Sequence, residues 1–333
     1  MSLLTLDTSG LYCAEADLYV DPWRPVKLAV ITHGHADHAR PGSETYVCHT
    51  DSVPILKLRL GSGAQLMGLE YGETWNVRGV SISLHPAGHI PGSAQVKIKT
   101  KRESWVVSGD YKTTDDGICA PFEPQTCDHF ISECTFGLPA FKFPPASQVW
   151  EELYYWQENI RKSGKHALVF AYSLGKAQRV ADAMSSRGLE VFAHPSILSM
   201  QQTLNPYLPR PVTLHALPAT RKEIPKGAFI LAPPATFQTT WAERLGPTDT
   251  AAVSGWMALR GHRRRTGYDT GFVVSDHADW DGLNEAVAAT GAQNIWLTHG
   301  YSNIFSRWLA EKGYAAEPLN TLFGEDAEEK EPV

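Results

Sequence analysis

The stretch Thr32–His38 reads THGHADH and gathers His33, His35, Asp37 and His38 directly behind the apolar run Leu28–Ile31. A turn that follows a strand is the setting this pattern predicts. Three imidazoles and a carboxylate on one turn are costly to desolvate together unless a cation sits among them. On a tight turn, residues 33 and 35 can face one ion while 37 and 38 face another. Nitrogen and oxygen donors of this kind suit Zn²⁺, with Mn²⁺ or iron as competitors.

One turn does not complete a coordination sphere, and further donors recur in similar settings. His89 stands in AGHIPGSAQ beyond the strand Val80–Leu84, and Asp110 stands in SGDYK at the end of Trp105–Ser108. His299 lies in LTHGY, just past Asn294–Thr298. Each alone reads as an ordinary polar loop residue. All of them follow strands, however, as ligands gathered at one edge of a sheet would. A carboxylate in the place of Asp110 can bridge two cations about 3.5–4 Å apart, the separation used in two-metal hydrolysis.

The elements that must position these residues fall into two styles. From Leu18 to about Ser132 the chain reads as short strands, including Leu18–Val20, Leu28–Thr32 and Thr45–Cys48, with little room for helices between them. That predicts an antiparallel or mixed sheet system. Near Pro144–Pro145 the pattern changes. Val149, Trp150, Leu153, Tyr154, Trp156 and Ile160 recur at helical spacing before Gly164. The strand Ala167–Tyr172 follows, then a helix with Ala177, Val180, Ala181 and Met184 on one face, then strands Leu189–Ala193 and Ala228–Leu231. This alternation predicts a parallel α/β unit. It returns after Gly271 with strands Phe272–Ser275 and Asn294–Thr298.

With 333 residues, 43% of them hydrophobic and 20% charged, the chain can bury a substantial core and is not of disordered composition. Its net charge of −6 means that attraction for a polyanion must come from bound metal or from a local patch. MSLLTLDTSGLY shows no basic-then-apolar leader, and no apolar run reaches membrane-spanning length. A cytoplasmic protein with no membrane partner is expected. The five cysteines lack CxxC spacing and read as reduced, small apolar side chains.

Two further groups suit phosphate. Ser173, Gly175 and Lys176 lie where a strand gives way to a helix, a junction that presents backbone N–H groups. Arg263, Arg264 and Arg265 follow His262 as concentrated positive charge suited to a nucleic-acid backbone, with a solvated basic loop as the alternative. His49, His85, His129, His166, His194 and His215 lack partner spacing and read as structural. Asp276 and Asp279 read as helix-capping residues.

THGHADH together with AGH, SGD and a late THG resembles the metallo-β-lactamase superfamily. The resemblance implies an α/β fold, an αββα sandwich with metals at one edge. The inserted α/β segment, Glu133 in SECTFG and His277 in SDHADW resemble the β-CASP nucleases. That branch includes DNA crosslink-repair nucleases, the mRNA 3′-end-processing nuclease and RNase J. GLYC…VDPWRPVKLAVITHGHADHARPG and SGWMALRGHRRR…GFVVSDHADW are similar, more narrowly, to bacterial DNA ligase-associated exonucleases. A metallo-β-lactamase domain over 1–145 and 271–324, a β-CASP insert over 146–270 and an acidic, frayed tail over 325–333 are expected.

The same resemblance implies two divalent metal ions, Zn²⁺ first and Mn²⁺ second. One is held by His33, His35 and His89, the other by Asp37, His38 and His299, with Asp110 bridging. Asp21 matches an aspartate that orients a ligand histidine from behind; a plain turn aspartate before Pro22 is the alternative. His277 is implied as general acid, tuned by Glu133 or a nearby aspartate, with a capping role as its alternative, and Asp37 counts with them as catalytic. The implied activity is a DNA exonuclease of repair or processing, with a two-metal-activated water. Its implied partners are single-stranded DNA or duplex ends, and a DNA ligase and helicase of the same pathway. DNA-cutting eukaryotic members typically lack a histidine at the third β-CASP motif, so His299 favours an RNA-processing enzyme, while the wider match favours DNA. A small-molecule metallo-hydrolase lacks the inserted domain. A catalytically dead nucleic-acid-binding scaffold would have lost ligands.

Overall fold

A computed structural model describes residues 2–319 of the chain. The expected acidic tail, 325–333, lies outside the described residues. The described chain forms two compact units, one running to Pro139 and resuming at His277, the other spanning Ala140–Asp276.

The first unit opens with a six-stranded sheet whose spatial order follows the sequence. Its strands are β1 (Leu4–Leu6), β2 (Leu11–Cys13), β3 (Leu18–Val20), β4 (Leu28–Val30), β5 (Thr45–His49) and β6 (Leu66–Leu69). The first three are antiparallel, and β3 to β6 run parallel. A parallel neighbour needs a crossover, and between β5 and β6 it is the helix α1 (Val53–Leu60). A mixed sheet is as expected; this helix is not. VPILKLRL is short and apolar on several sides, so it carries no clear amphipathic stripe.

A second sheet begins with β7 (Thr74–Val77), β8 (Val80–Pro86), β9 (Ala94–Lys99) and β10 (Ser104–Val107), all antiparallel. β11 (His129–Glu133) then joins β10 in parallel.

The second unit contains α2 (Ala146–Ser163), β12 (His166–Phe170), α3 (Lys176–Ser185), β13 (Val191–Ala193), α4 (Pro195–Leu204), β14 (His215–Ala216) and β15 (Phe229–Ala232). It continues with α5 (Thr240–Glu243), β16 (Thr248–Val253), α6 (Arg260–Arg265) and β17 (Thr270–Phe272). Its six strands are parallel throughout, in the order β14-β13-β15-β12-β16-β17. α2 ends where Gly164 adopts the left-handed conformation. Two readings are corrected here. The arginines, for which a solvated loop is the alternative reading, lie on a short helix, and the last strand ends at Phe272, so residues 273–275 of the expected strand lie beyond it.

The chain then returns to the first unit through α7 (Trp280–Thr290), β18 (Asn294–Thr298), α8 (Ser302–Glu311) and β19 (Ala315–Pro318). β18 pairs in parallel with β11, and β19 with β18.

Period-two burial holds these layers together. Val20, Val30 and Val47 of the first sheet share one apolar cluster with Ile82, Val96 and Val107 of the second. The neighbouring positions point the other way. Ala29, Tyr46 and Cys48 pack with Leu56 of α1, whereas Val106, Phe130 and Leu297 pack with Leu283 of α7 and Phe305 of α8. In the second unit Ala167 and Val169 meet Leu153 and Val180, while Leu168 and Phe170 face Phe237 and Tyr268.

Phe130 is fully buried beneath α7 and α8. Phe130→Ala is expected to destabilise the first unit by about 3–5 kcal/mol, read by chemical denaturation. A loss below about 1 kcal/mol would mean that this face is not packed as described.

Candidate metal centre

β3 and β4 run parallel with Val20 opposite Val30, so the residues after them, Asp21 and Ile31–Thr32, leave the sheet side by side. In the second sheet β8, β10, β11 and β18 all point one way, so the loops after them share an edge. Those loops carry His89, Asp110 and His299, and Glu133, the partner of His277, is the last residue of β11. Glu133 lies opposite Thr298 in the ladder, one residue before His299.

The backbone at this edge is held in unusual shapes. Asp21 and His299 are two of the five described non-glycine residues with positive φ, at 45° and 59°. Such conformations persist only where the surroundings hold them, and they concentrate at functional sites. Gly109 sits at φ 56°, and a Cβ there would approach Thr32 Cβ at 2.6 Å. Only glycine lets Asp110 follow β10 this closely against the THGHADH turn.

Asp21 fixes two imidazoles at once. Its Oδ1 accepts from the Thr32 backbone N–H at 2.8 Å and its Oδ2 from the Thr32 hydroxyl at 2.6 Å. Because that hydroxyl has spent its hydrogen, at 3.0 Å it accepts from His33 Nδ1. Oδ2 also accepts from His38 Nδ1 at 2.7 Å. Both rings therefore carry their proton on Nδ1 and turn Nε2 toward the site. His299 Nδ1 lies 2.9 Å from the Thr298 hydroxyl, which orients it in a similar way.

The Nε2 atoms converge on carboxylates. His33 Nε2 is 3.4 Å and His89 Nε2 3.8 Å from Asp110 Oδ2. His38 Nε2 is 3.6 Å from the other oxygen, Oδ1, and 3.6 Å from Asp37 Oδ2. His35 Nδ1 lies 3.2 Å from His33 Nε2 and 3.1 Å from His89 Nε2. Donor atoms around a four-coordinate ion with bonds of about 2.0–2.2 Å are separated by distances of this order. Among the donors, His33, His35, His89 and Asp110 form one group and Asp37, His38 and His299 another, while Asp110 also groups with Glu133 and His277. Asp110 Oδ1 is buried with no hydrogen-bond donor among the described residues. A nitrogen-rich, buried set with an unsatisfied carboxylate oxygen fits divalent cations well.

The electrostatics agree. Burial pushes His33 well below the ordinary histidine range, helped by His38 and His89 beside it. Burial likewise lowers His299 to about 4, with His38 adding to the effect. Burial disfavours charge on His38 too, but Asp110, Asp37 and Asp21 outweigh it and lift the ring to about 10. Burial raises Asp110 to about 7 against the pull of His38. Between them this pair retains a proton that a cation must displace.

Beside the ligand groups lies a second carboxylate–imidazole pair. Glu133 Oε1 accepts from His277 Nδ1 at 2.8 Å and from the Tyr111 N–H at 3.0 Å. Its Oε2 accepts from the Thr135 N–H at 3.2 Å and hydroxyl at 2.5 Å. Burial alone would raise Glu133, yet His277 and these donors hold it below the usual carboxylate range. It is an anion that fixes the His277 ring, which packs 4.7 Å from the His89 ring.

The remaining expected residues lie in the second unit. Ser173 Oγ is 3.3 Å from Ser196 Oγ, and the Gly175 N–H donates to Gln178 Oε1. Lys176 is buried and pairs with Asp276 Oδ1 at 2.5 Å. Asp276 is thus an ion-pair partner rather than a cap, whereas Asp279 does cap α7 by accepting from the Gly282 N–H. The arginines of α6 are exposed.

Sequence reasoning missed the supports. Thr32 relays Asp21 to His33, and Ser93 Oγ accepts from the His89 and Ile90 N–H groups. Tyr71 donates to the Ser93 carbonyl, and Ser52 to that of Gly92, clamping the His89 loop. Thr32 and Ser93 sit inside the motifs already noted; nothing local marks Tyr71 or Ser52.

No family model matches the chain. A probable DNA ligase from Opitutus terrae is 29% identical over 313 residues, covering 92% of this chain but only 30% of that protein. RNase aCSPSF2 from Saccharolobus solfataricus is 29% identical over 193 residues, 49% of this chain and 39% of its own. The DNA cross-link repair protein pso2/snm1 from Schizosaccharomyces pombe is 27% identical over 152 residues, 42% of this chain and 25% of its own. The chain thus spans less than half of each of these three relatives. The resemblance to β-CASP-type metallo-β-lactamase nucleases is borne out by these relatives. A crystal structure of an Enterococcus faecalis protein of unknown function superposes with a TM-score of 0.59 at 11% identity, over 88% of this chain and 79% of that one. At that identity the likeness speaks for the fold alone.

Metal uptake is expected to release protons and to strengthen as pH rises through neutrality, because Asp110 and His38 must both deprotonate. Calorimetric titration of Zn²⁺ in buffers of different ionisation enthalpy reads the release directly; a buffer-independent heat would contradict it. Asp21→Asn is expected to weaken metal binding about 10–100-fold by freeing the His33 and His38 rings.

Proposed function

We propose that the chain is a metal-dependent nuclease that hydrolyses DNA phosphodiesters as an exonuclease of repair or processing. The observation that carries this reading is Asp110, whose two oxygens face two separate groups of imidazole and carboxylate donors, with the Glu133–His277 pair beside them. In this reading the first unit is the αββα metallo-β-lactamase domain and the second the inserted β-CASP domain. His33, His35 and His89 would hold one divalent ion and Asp37, His38 and His299 the other, with Asp110 contributing between the two groups. Zn²⁺ suits the nitrogen-rich set, with Mn²⁺ as second choice. When bound, such a pair supplies Lewis acidity and a water acidic enough to ionise near neutral pH.

The protein's own groups do the rest. Asp21, through Thr32 and directly, keeps His33 and His38 in the tautomer that offers Nε2. Glu133 anchors His277 by Nδ1 and so fixes the direction from which the ring would deliver a proton to the departing oxygen. Held below the usual carboxylate range by His277 and its hydrogen-bond donors, Glu133 favours the protonated ring that a general acid requires. The exposed arginines 263–265 are assigned to phosphate contact; the expected cradle at Ser173, Gly175 and Lys176 is set aside, because the Gly175 N–H is taken by Gln178 and Lys176 is buried against Asp276.

DNA is favoured over RNA by the match to the Opitutus terrae protein, which covers 92% of the chain. The RNA-processing alternative draws on His299 and on the relative named as an RNase. A DNA ligase and a helicase of the same pathway are the proposed partners, and the cytoplasm the proposed location. No described helix is long and apolar enough to cross a membrane.

A degradation time course with DNA and RNA labelled at either end, run separately with Zn²⁺ and Mn²⁺, is expected to show DNA shortened from one end and RNA spared. Digestion of RNA in preference would replace this reading with the ribonuclease one. His277→Ala is expected to keep its metals while turnover falls about 10²–10⁴-fold. A substrate with a good leaving group loses less, because it needs less protonation. Loss of metal in this variant would make His277 a ligand instead.

A further inference from the structure

In the second unit three aromatic rings climb from the core to the surface. Phe141 is fully buried, and Trp256 meets it edge-on with centroids 5.4 Å apart. His262, on α6, lies over Trp256 at 5.8 Å with the planes 29° apart, so the two rings are stacked. Trp256 and His262 are both half-exposed. The segment is tied together locally. Ser254 accepts from the Trp256 N–H at 3.3 Å, and Arg263 Nε donates to the Met257 carbonyl.

Around the outermost ring the charge is one-sided. Residues 255–268, GWMALRGHRRRTGY, contain no acidic side chain. Arg260, Arg264 and Arg265 are exposed, and none has an ion-pair partner among the described residues. The nearest acid in sequence, Asp269, is engaged by the N–H and hydroxyl of Thr250, both at 2.7 Å. Surface arginines of a chain with net charge −6 would ordinarily find carboxylates, and here they do not.

We propose that His262, backed by Trp256, is a stacking platform for one unpaired base of a nucleic-acid strand whose phosphates lie on Arg260, Arg264 and Arg265. This rests on the nuclease reading above and adds to it a subsite for single strands. A flat ring supported from beneath and open above can take the π-face of any base without reading its sequence. A paired base within a duplex has both faces covered by its neighbours, so the platform selects strands that are unpaired. The arginines supply the sequence-independent, salt-sensitive share of binding.

Binding of a labelled thymidine oligomer to the metal-loaded protein, with phosphorothioate linkages to resist hydrolysis, is compared with binding of an abasic oligomer of the same length and linkage. His262→Ala is expected to weaken the base-bearing strand about 5- to 150-fold, the range set by one base–aromatic stack, and to leave the abasic strand unchanged. His262→Phe keeps the affinity. Arg264→Ala with Arg265→Ala weakens both strands and flattens their salt dependence. Melting temperatures of the variants show that α6 is still formed; where His262→Ala lowers stability, His262→Phe and His262→Gln carry the comparison between a ring and no ring. Equal effects of His262→Ala on the two strands, or none on either, overturn the platform. A protein that hydrolyses DNA yet shows that result keeps the nuclease reading and loses this one. A protein that neither binds nor hydrolyses nucleic acid loses both.

Discussion

A carboxylate taken out of water is stable only where something positive or proton-bearing meets it, and Asp110 is buried with imidazole nitrogens on both of its oxygens. Most of the first unit can be understood as the means of bringing those nitrogens there. The THGHADH turn comes from the first sheet, while Asp110, His89 and His299 come from the second. The two edges meet because the sheets share an apolar core built from alternate residues of both. Gly109 allows the close approach, and positive φ at His299 turns that ring inward. Burial and mutual attraction oppose each other on the pair His38 and Asp110: attraction prevails on His38, lifting it to about 10, and burial prevails on Asp110, raising it to about 7.

Two further carboxylates work at one remove, by deciding which nitrogen of an imidazole carries hydrogen. Asp21 does so for His38 directly and for His33 through the Thr32 hydroxyl; Glu133 does so for His277. Both accept several hydrogen bonds, so each is held in one orientation and holds its ring in turn. A ring that swivelled would present the wrong nitrogen, and the misplacement would cost more than the hydrogen bond itself. The division also separates roles. Asp21 serves both ligand groups, whereas Glu133 serves a histidine that abuts His89 from the side.

Much of this was legible in the sequence because the chemistry is local. The donors on the THGHADH turn are six residues long in sequence and need no tertiary argument. The strands that carry His89, Asp110 and His299 announce themselves by Val/Ile alternation ending in Gly or Pro. What stayed hidden depends on partners far apart. Glu133 and His277 meet although they stand 144 residues apart, and Ser52 and Tyr71 reach the His89 loop from the connections that follow β5 and β6. α1 escapes notice because its apolar residues are not confined to one stripe, and α4 because a proline opens it directly behind a strand. The strand β11 was passed over because HFISE is brief, although it carries Glu133. The arginine run on α6 lacks any apolar stripe, so composition alone suggested a loop.

Charge closes the account of how an acidic chain could engage a polyanion. Asp21, Asp37, Asp110 and Glu133 crowd one edge of the first unit, and their combined field repels phosphate while no cation is present. In the reading proposed above, two divalent ions offset those four carboxylates, and a protonated His277 then leaves the edge attractive to phosphate. Metal loading and strand affinity are therefore coupled through the same carboxylates, and by linkage each strengthens the other. The unpaired arginines of α6 are spared this dependence, since no carboxylate stands among them. Binding through the arginines alone would persist in metal-free protein but fall steeply with salt, whereas the contribution of the metal edge, shielded by burial, would resist salt and vanish with the ions.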